Sequence, residues 1–154
     1  MSVNVCVCVC VLDFFPQVKH IQGDLVIRGQ HALRSLAFFK ELANVTGNLV
    51  IDANDQVTSI EMPNLAAVGG NLVVTSNKLL PRLLLPRLAA VAGDLVINTN
   101  DQLAAIYLPD LARVGGATRI KANKLVPRVR IPLMTTTTST STSTSSTSST
   151  ATPW

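Results

Sequence analysis

The sequence predicts a mainly β fold: a right-handed parallel β-solenoid of five coils of about 23 residues, followed by a disordered Ser/Thr-rich tail. Three observations carry this expectation. A glycine recurs at Gly23, Gly47, Gly70, Gly93 and Gly116, in steps of 24, 23, 23 and 23 residues, and a fixed period of roughly 20 to 50 residues is the signature of stacked repeats. When the coils are aligned on that glycine, seven columns are apolar. Residues 135–150 are all Ser or Thr, and such a segment has nothing to bury.

Length and composition set the frame. A chain of 154 residues, 47% of them hydrophobic, has room for one domain with a long thin core, and for a tail. The longest apolar stretches, residues 5–12 and 79–85, fall short of the roughly 20 residues a spanning helix needs, so no membrane span is expected in this chain. A net charge of +4, from 13 basic and 9 acidic side chains, is too mild to imply nucleic acid.

Residues 1–17 stand outside the repeat as an irregular leader. Val5-Cys6-Val7-Cys8-Val9-Cys10-Val11 alternates as a strand does, with the three cysteines on one face. A spacing of two is not that of a zinc knuckle, and neighbours on one strand are poorly placed for a disulfide, so no metal is expected. Residues 1–15 hold no Lys or Arg and no small-residue cleavage motif follows, which argues against a signal peptide. An uninterrupted GT dinucleotide repeat also translates as Val-Cys-Val-Cys. The leader is therefore open to a second reading, as translated intron and an artefact of the gene model.

Residues 18–134 form the solenoid. The inward columns run through Val68, Leu72, Val74, Leu80, Leu83, Leu85 and Leu88; the Leu72 column ends on Thr118, and the Leu85 column begins at Phe38. The spacing of two in Leu72-x-Val74 and Ile60-x-Met62 predicts one clear strand and a second, shorter extended segment per coil. Glycine leads into each strand, where a positive φ or a close approach would exclude a Cβ. A proline column, Pro63/Pro86/Pro109/Pro132, belongs at a corner because proline cannot donate to a ladder. An asparagine column, Asn54/Asn77/Asn100/Asn123 with Gln30 ahead of it, is expected to stack inward as an amide ladder.

A second period overlies the first. Asn54-Asp55-Gln56 returns as Asn100-Asp101-Gln102, and Asn77-Lys78-Leu79 as Asn123-Lys124-Leu125, so the duplicated unit was two coils, 46 residues. The column His31, Asp55, Lys78, Asp101, Lys124 then alternates opposite charges and should fix register. Neither His20 nor His31 has partners at a catalytic or metal-binding spacing. Between positions 113 and 130 there are six Lys or Arg and no acid, so one end of the solenoid should be basic.

The residue between two core positions of each strand must face out, which gives Val26, Val50, Val73 and Val96, then Arg119, flanked by a column ending at Lys121. Stacked valines make an apolar stripe, the candidate partner face; equally, valine suits any strand. The sequon Asn44-Val45-Thr46 makes Asn44, on an outward column, a candidate glycosylation site.

The coil Leu-x-x-Val-x-Gly-Asn/Asp-Leu-Val-Ile-x-x-Asn, as in residues 88–100, resembles the receptor L domain. That domain is the leucine-rich-repeat-like solenoid of growth-factor-receptor ectodomains and of fungal cell-wall proteins with Ser/Thr-rich tails. The resemblance implies a non-catalytic, extracellular or cell-surface recognition or structural module, a glycoprotein whose partner is a protein or a glycan. It implies no cofactor. The solenoid contains no cysteine, so the simpler surface type is favoured over a full growth-factor receptor. An intracellular leucine-rich-type scaffold is the alternative. A polysaccharide-active β-helix enzyme is a third, resting only on Asp24, Asp52 and Asp94 as strand-face acids.

Overall fold

The computed structural model describes the backbone of Val5–Cys6 together with residues 17–123 and 128–131. The chain winds through three parallel sheets. The first, the long-strand sheet, stacks Leu25–Arg28, Leu49–Asp52, Leu72–Thr75, Leu95–Asn98 and Thr118–Lys121 in that order. The second is built of two-residue strands, His20–Ile21, Asn44–Val45, Ala67–Val68, Ala90–Val91 and Arg113–Val114. A third holds Ile60–Glu61, Arg82–Leu84, Ala105–Tyr107 and Arg128–Arg130. Five rungs result, about four full turns of chain between His20 and Arg113. The mainly β parallel solenoid is thus as expected, with one sheet more than the two extended segments per coil.

The first rung departs from the others. Where later rungs have a third-sheet strand it has a 3-10 turn, Ala37–Phe39, joined to its neighbour by a single bridge between Ser35 and Ser59. This turn absorbs the extra residue of the 24-residue first step. Leu42 N–H donates to Phe39 O at 3.0 Å, as Leu65 donates to Met62 at 3.2 Å and Leu88 to Leu85 at 3.3 Å. Phe39, fully buried, is therefore the member of the Leu85 column, and the expectation of Phe38 there is corrected: Phe38 is half-buried and packs against the core from outside.

Two residues of the leader join the first sheet. Val5 and Cys6 pair in parallel with Leu25 and Val26, so they extend the long-strand sheet by a sixth strand. The rest of the leader, Val126 and Met134 at the ends of core columns, Lys124, Pro132 and the tail lie outside the described residues.

Inside, the columns through Val68, Leu72, Val74, Leu80, Leu83, Leu85 and Leu88 form one hydrophobic core. It loosens at the last rung, where Ile120 and Ile131 are only partly buried. Two turns per coil shape the corners. One is closed by Val57 N–H to Asn54 O at 3.2 Å, repeated at Leu80 to Asn77 and Leu103 to Asn100. The other is the turn closed by Leu65 on Met62, in which Pro63 holds the position where a fixed φ favours a turn.

Buried asparagines hold the first corner. The Asn77 backbone N–H donates to Asn100 Oδ1 at 3.0 Å, while its Nδ2 donates to Ile51 O at 3.0 Å and to Asn100 Oδ1 at 3.2 Å. Asn54 and Asn100 repeat the pattern, and Asn123 Nδ2 donates to Ile97 O at 2.8 Å. The stacked inward amides are as the sequence predicts for the four asparagines; Gln30 is outside the buried ladder, its Nε2 donating to Arg28 O at 2.9 Å. The preceding residue carries a conformational cost: Ala53, Ser76, Thr99 and Ala122 have φ of 54°, 56°, 55° and 52°, a left-handed region disfavoured for side chains other than glycine, which only Gly29 (φ 64°) supplies.

The glycine column before each long strand has a different cause. Only Gly23 has a positive φ, 111°. A Cβ on Gly70 would lie 2.5 Å from Asn48 Oδ1 and 2.9 Å from the Gly47 carbonyl carbon, so these glycines are required by the close approach of one coil to the next.

Candidate functional site

Alternation in the long strands decides which side chains reach the outer face. In Leu72–Thr75 the first and third residues are buried and the second and fourth half-buried, and the neighbouring strands repeat this. Register then aligns the outward second positions: Val26 opposes Val50, Val50 opposes Val73, Val73 opposes Val96, and Val96 opposes Arg119. With rows about 4.8 Å apart, four half-buried valines run down the middle of the sheet.

The stripe is bordered on both sides by polar columns tied across the coils. On one side stand Arg28, Asp52, Thr75, Asn98 and Lys121. Arg28 Nε pairs with Asp52 Oδ2 at 2.9 Å, the Thr75 hydroxyl donates to Asp52 Oδ1 at 2.6 Å, and the Lys121 backbone N–H donates to Asn98 Oδ1 at 3.0 Å. On the other side is a ladder that sequence reasoning missed. The backbone N–H of Asn48 donates to Asp24 Oδ1 at 2.7 Å, that of Asn71 to Asn48 Oδ1 at 2.8 Å, that of Asp94 to Asn71 Oδ1 at 2.7 Å, and that of Ala117 to Asp94 Oδ1 at 2.8 Å. Its signal was present: the residue after the recurring glycine is Asp or Asn in four successive coils.

These contacts change the standing of several residues. Asp24 and Asp94 precede the strands and cap the next coil's backbone; they are not strand-face acids as expected. Asp52 is on the face but is held by Arg28 and Thr75. Arg119 Nη1 lies 3.0 Å from Asp94 Oδ2, so it ends the stripe as half of an ion pair. Lys121 continues the polar border.

The basic residues of the last rung are spread over all three sheets: Arg113 in the short-strand sheet, Arg119 and Lys121 in the long-strand sheet, Arg128 and Arg130 in the third. In the alternating charge column Lys78 Nζ lies 3.3 Å from Asp55 Oδ2, and Asp101 is also engaged. Asn44 is half-buried in the short-strand sheet between His20 and Ala67, with its neighbour Val45 buried. His31 is exposed at the corner.

Among the described residues, no three His, Cys, Asp or Glu side chains come together to hold a metal ion. Within the same residues, no helix is long and apolar enough to cross a membrane. The geometry offers a ribbon of apolar surface between two hydrogen-bonded borders.

A family model described as Receptor L domain matches residues 10–85. The match takes in the first three long strands, and the later coils continue the same columns. Comparison with curated proteins and with solved structures finds no match.

Proposed function

We propose that the solenoid is a non-catalytic recognition module of the receptor L domain type, acting outside the cell or at its surface, with the valine stripe meeting a protein ligand. The observation that carries this reading is the stripe itself. Val26, Val50, Val73 and Val96 are aligned by register on one open sheet, and the borders that stiffen them are already made before a ligand arrives. A preformed surface loses little freedom on binding, so more of the buried apolar area appears as affinity. The Receptor L domain match supports ligand binding as the role. The partners of Asp24, Asp52 and Asp94 weigh against the enzyme reading, which rested on these acids.

The finer form of the proposal is the simple surface type, with residues 135–150 as an O-glycosylated stalk and an N-linked glycan on Asn44. The test is Val73→Lys in the full chain. A lysine at this half-buried outward position should shift the melting temperature little and abolish binding to the partner recovered by a cell-surface pull-down with the native chain. Binding that survives Val73→Lys would remove the stripe from recognition.

A further inference from the structure

The third sheet presents a second outward surface of quite different chemistry. In Arg82–Leu84 the arginine is exposed, Leu83 is buried and Leu84 is half-buried; in Ala105–Tyr107 the central Ile106 is buried and its two neighbours are half-buried. Register sets Ala105 between Arg82 and Arg128, and Tyr107 between Leu84 and Arg130, which is exposed. Two adjoining columns follow. One runs Arg82, Ala105, Arg128; the rows that hold Arg82 and Arg130 are about 9.6 Å apart at the row spacing of a sheet, and those two arginines stand in neighbouring columns. The other runs Glu61, Leu84, Tyr107, Arg130.

The face is basic toward its C-terminal end. Ion pairs among the described residues engage Arg28, Lys78 and Arg119, and none engages Arg82 or Arg130. Glu61 lies at the far end of its column from Arg130, in the row next to Arg82, and accepts a hydrogen bond from Ser59. Asp101 and Asp110 are in the turns on either side, off the sheet.

We infer that this face binds an acidic polysaccharide, with Arg82 and Arg130 pairing with its anionic groups and Tyr107 as the platform on which a sugar ring packs. An extended glycan offers what the surface asks for: apolar ring faces for Tyr107 and Leu84, and acidic groups recurring on alternate rings, matching cationic positions two rows apart. Guanidinium groups suit carboxylate and sulfate because their donors form a planar fork. Nucleic acid fits less well. Tyr107 is the chain's single tyrosine, so there is no run of platforms for successive bases, and a few arginines would neutralise few phosphates. The inference stands apart from the valine stripe, which is on another sheet.

The experiment measures binding of the full chain to heparin, which is sulfated, to hyaluronan, whose acids are carboxylates, and to dextran, which is neutral. Retention on heparin alone assigns the site to sulfate, and retention on both acidic polymers to either anion; each supports the inference if dextran is not bound. Arg82→Ser with Arg130→Ser should lower affinity about tenfold or more and flatten its dependence on salt. Tyr107→Leu, which keeps an apolar side chain but removes the flat ring, should lower affinity about tenfold while leaving the salt dependence unchanged. Arg113→Ser, an equal charge change on the short-strand sheet, should have no effect. Circular dichroism melting confirms that each variant is folded. Failure to bind either acidic polymer, tighter binding to duplex DNA, an Arg113→Ser loss equal to that of Arg82→Ser, or a neutral Tyr107→Leu would each overturn the inference. Val73→Lys should leave polysaccharide binding intact, which separates this site from the stripe.

Discussion

Thr118 is the one buried side chain among those described whose polar atom has no hydrogen-bond partner. It stands in the column that Leu25, Leu49, Leu72 and Leu95 fill in earlier rungs, and it is 4% exposed. An unpartnered hydroxyl in an apolar stack loses its hydration without a replacement bond. Thr118→Val, of similar shape and without the hydroxyl, should raise stability by about 1 kcal/mol. A denaturant titration reads this as a higher midpoint at unchanged slope; an unmoved midpoint would show that the hydroxyl costs nothing where it is.

Among the elements, the corner built on Asn77 joins three coils. Its amide donates to Ile51 O, its backbone N–H is taken by Asn100 Oδ1, and its own Oδ1 accepts from the Asn54 backbone N–H at 3.2 Å and from Asn54 Nδ2 at 3.3 Å. Asn77→Ala leaves the Ile51 carbonyl and the Asn54 N–H without their partners in a buried place. The expected loss is about 3 kcal/mol, measured by chemical denaturation; a loss below about 1 kcal/mol would mean the corner closes without the ladder. This column was legible in the sequence because the same residue recurs at a fixed step. The short-strand sheet was not, since a two-residue strand such as Ala67–Val68 offers one inward side chain and no alternation to detect. The border ladder was obscured by its mixture of Asp24, Asn48, Asn71 and Asp94, which resemble one another as acceptors but differ in charge. Two consecutive phenylalanines hid where the first coil takes its extra residue, because either ring could fill the column and only the 3-10 turn selects Phe39. The valine stripe was legible as a row of positions, but the engagement of Arg119 by Asp94 depends on geometry that the row alone does not contain.

At the scale of the whole molecule each rung touches only its neighbours, so the stack holds together through adjacent coils. Leu72→Asp would put an unpaired charge into the middle of the core, among apolar side chains. The β signal in circular dichroism should be lost for the whole solenoid, and a retained signal with an unchanged melting temperature would place Leu72 outside the core. The contact between Lys78 and Asp55 sets a rule for how such a chain can change length. Deleting one coil would bring Asp55 against Asp101, acid over acid, whereas deleting 46 residues, two coils of 23, keeps the signs alternating. A change of length by two coils therefore leaves the pattern of contacts along this column as it is, whereas a change by one coil sets like charges against each other.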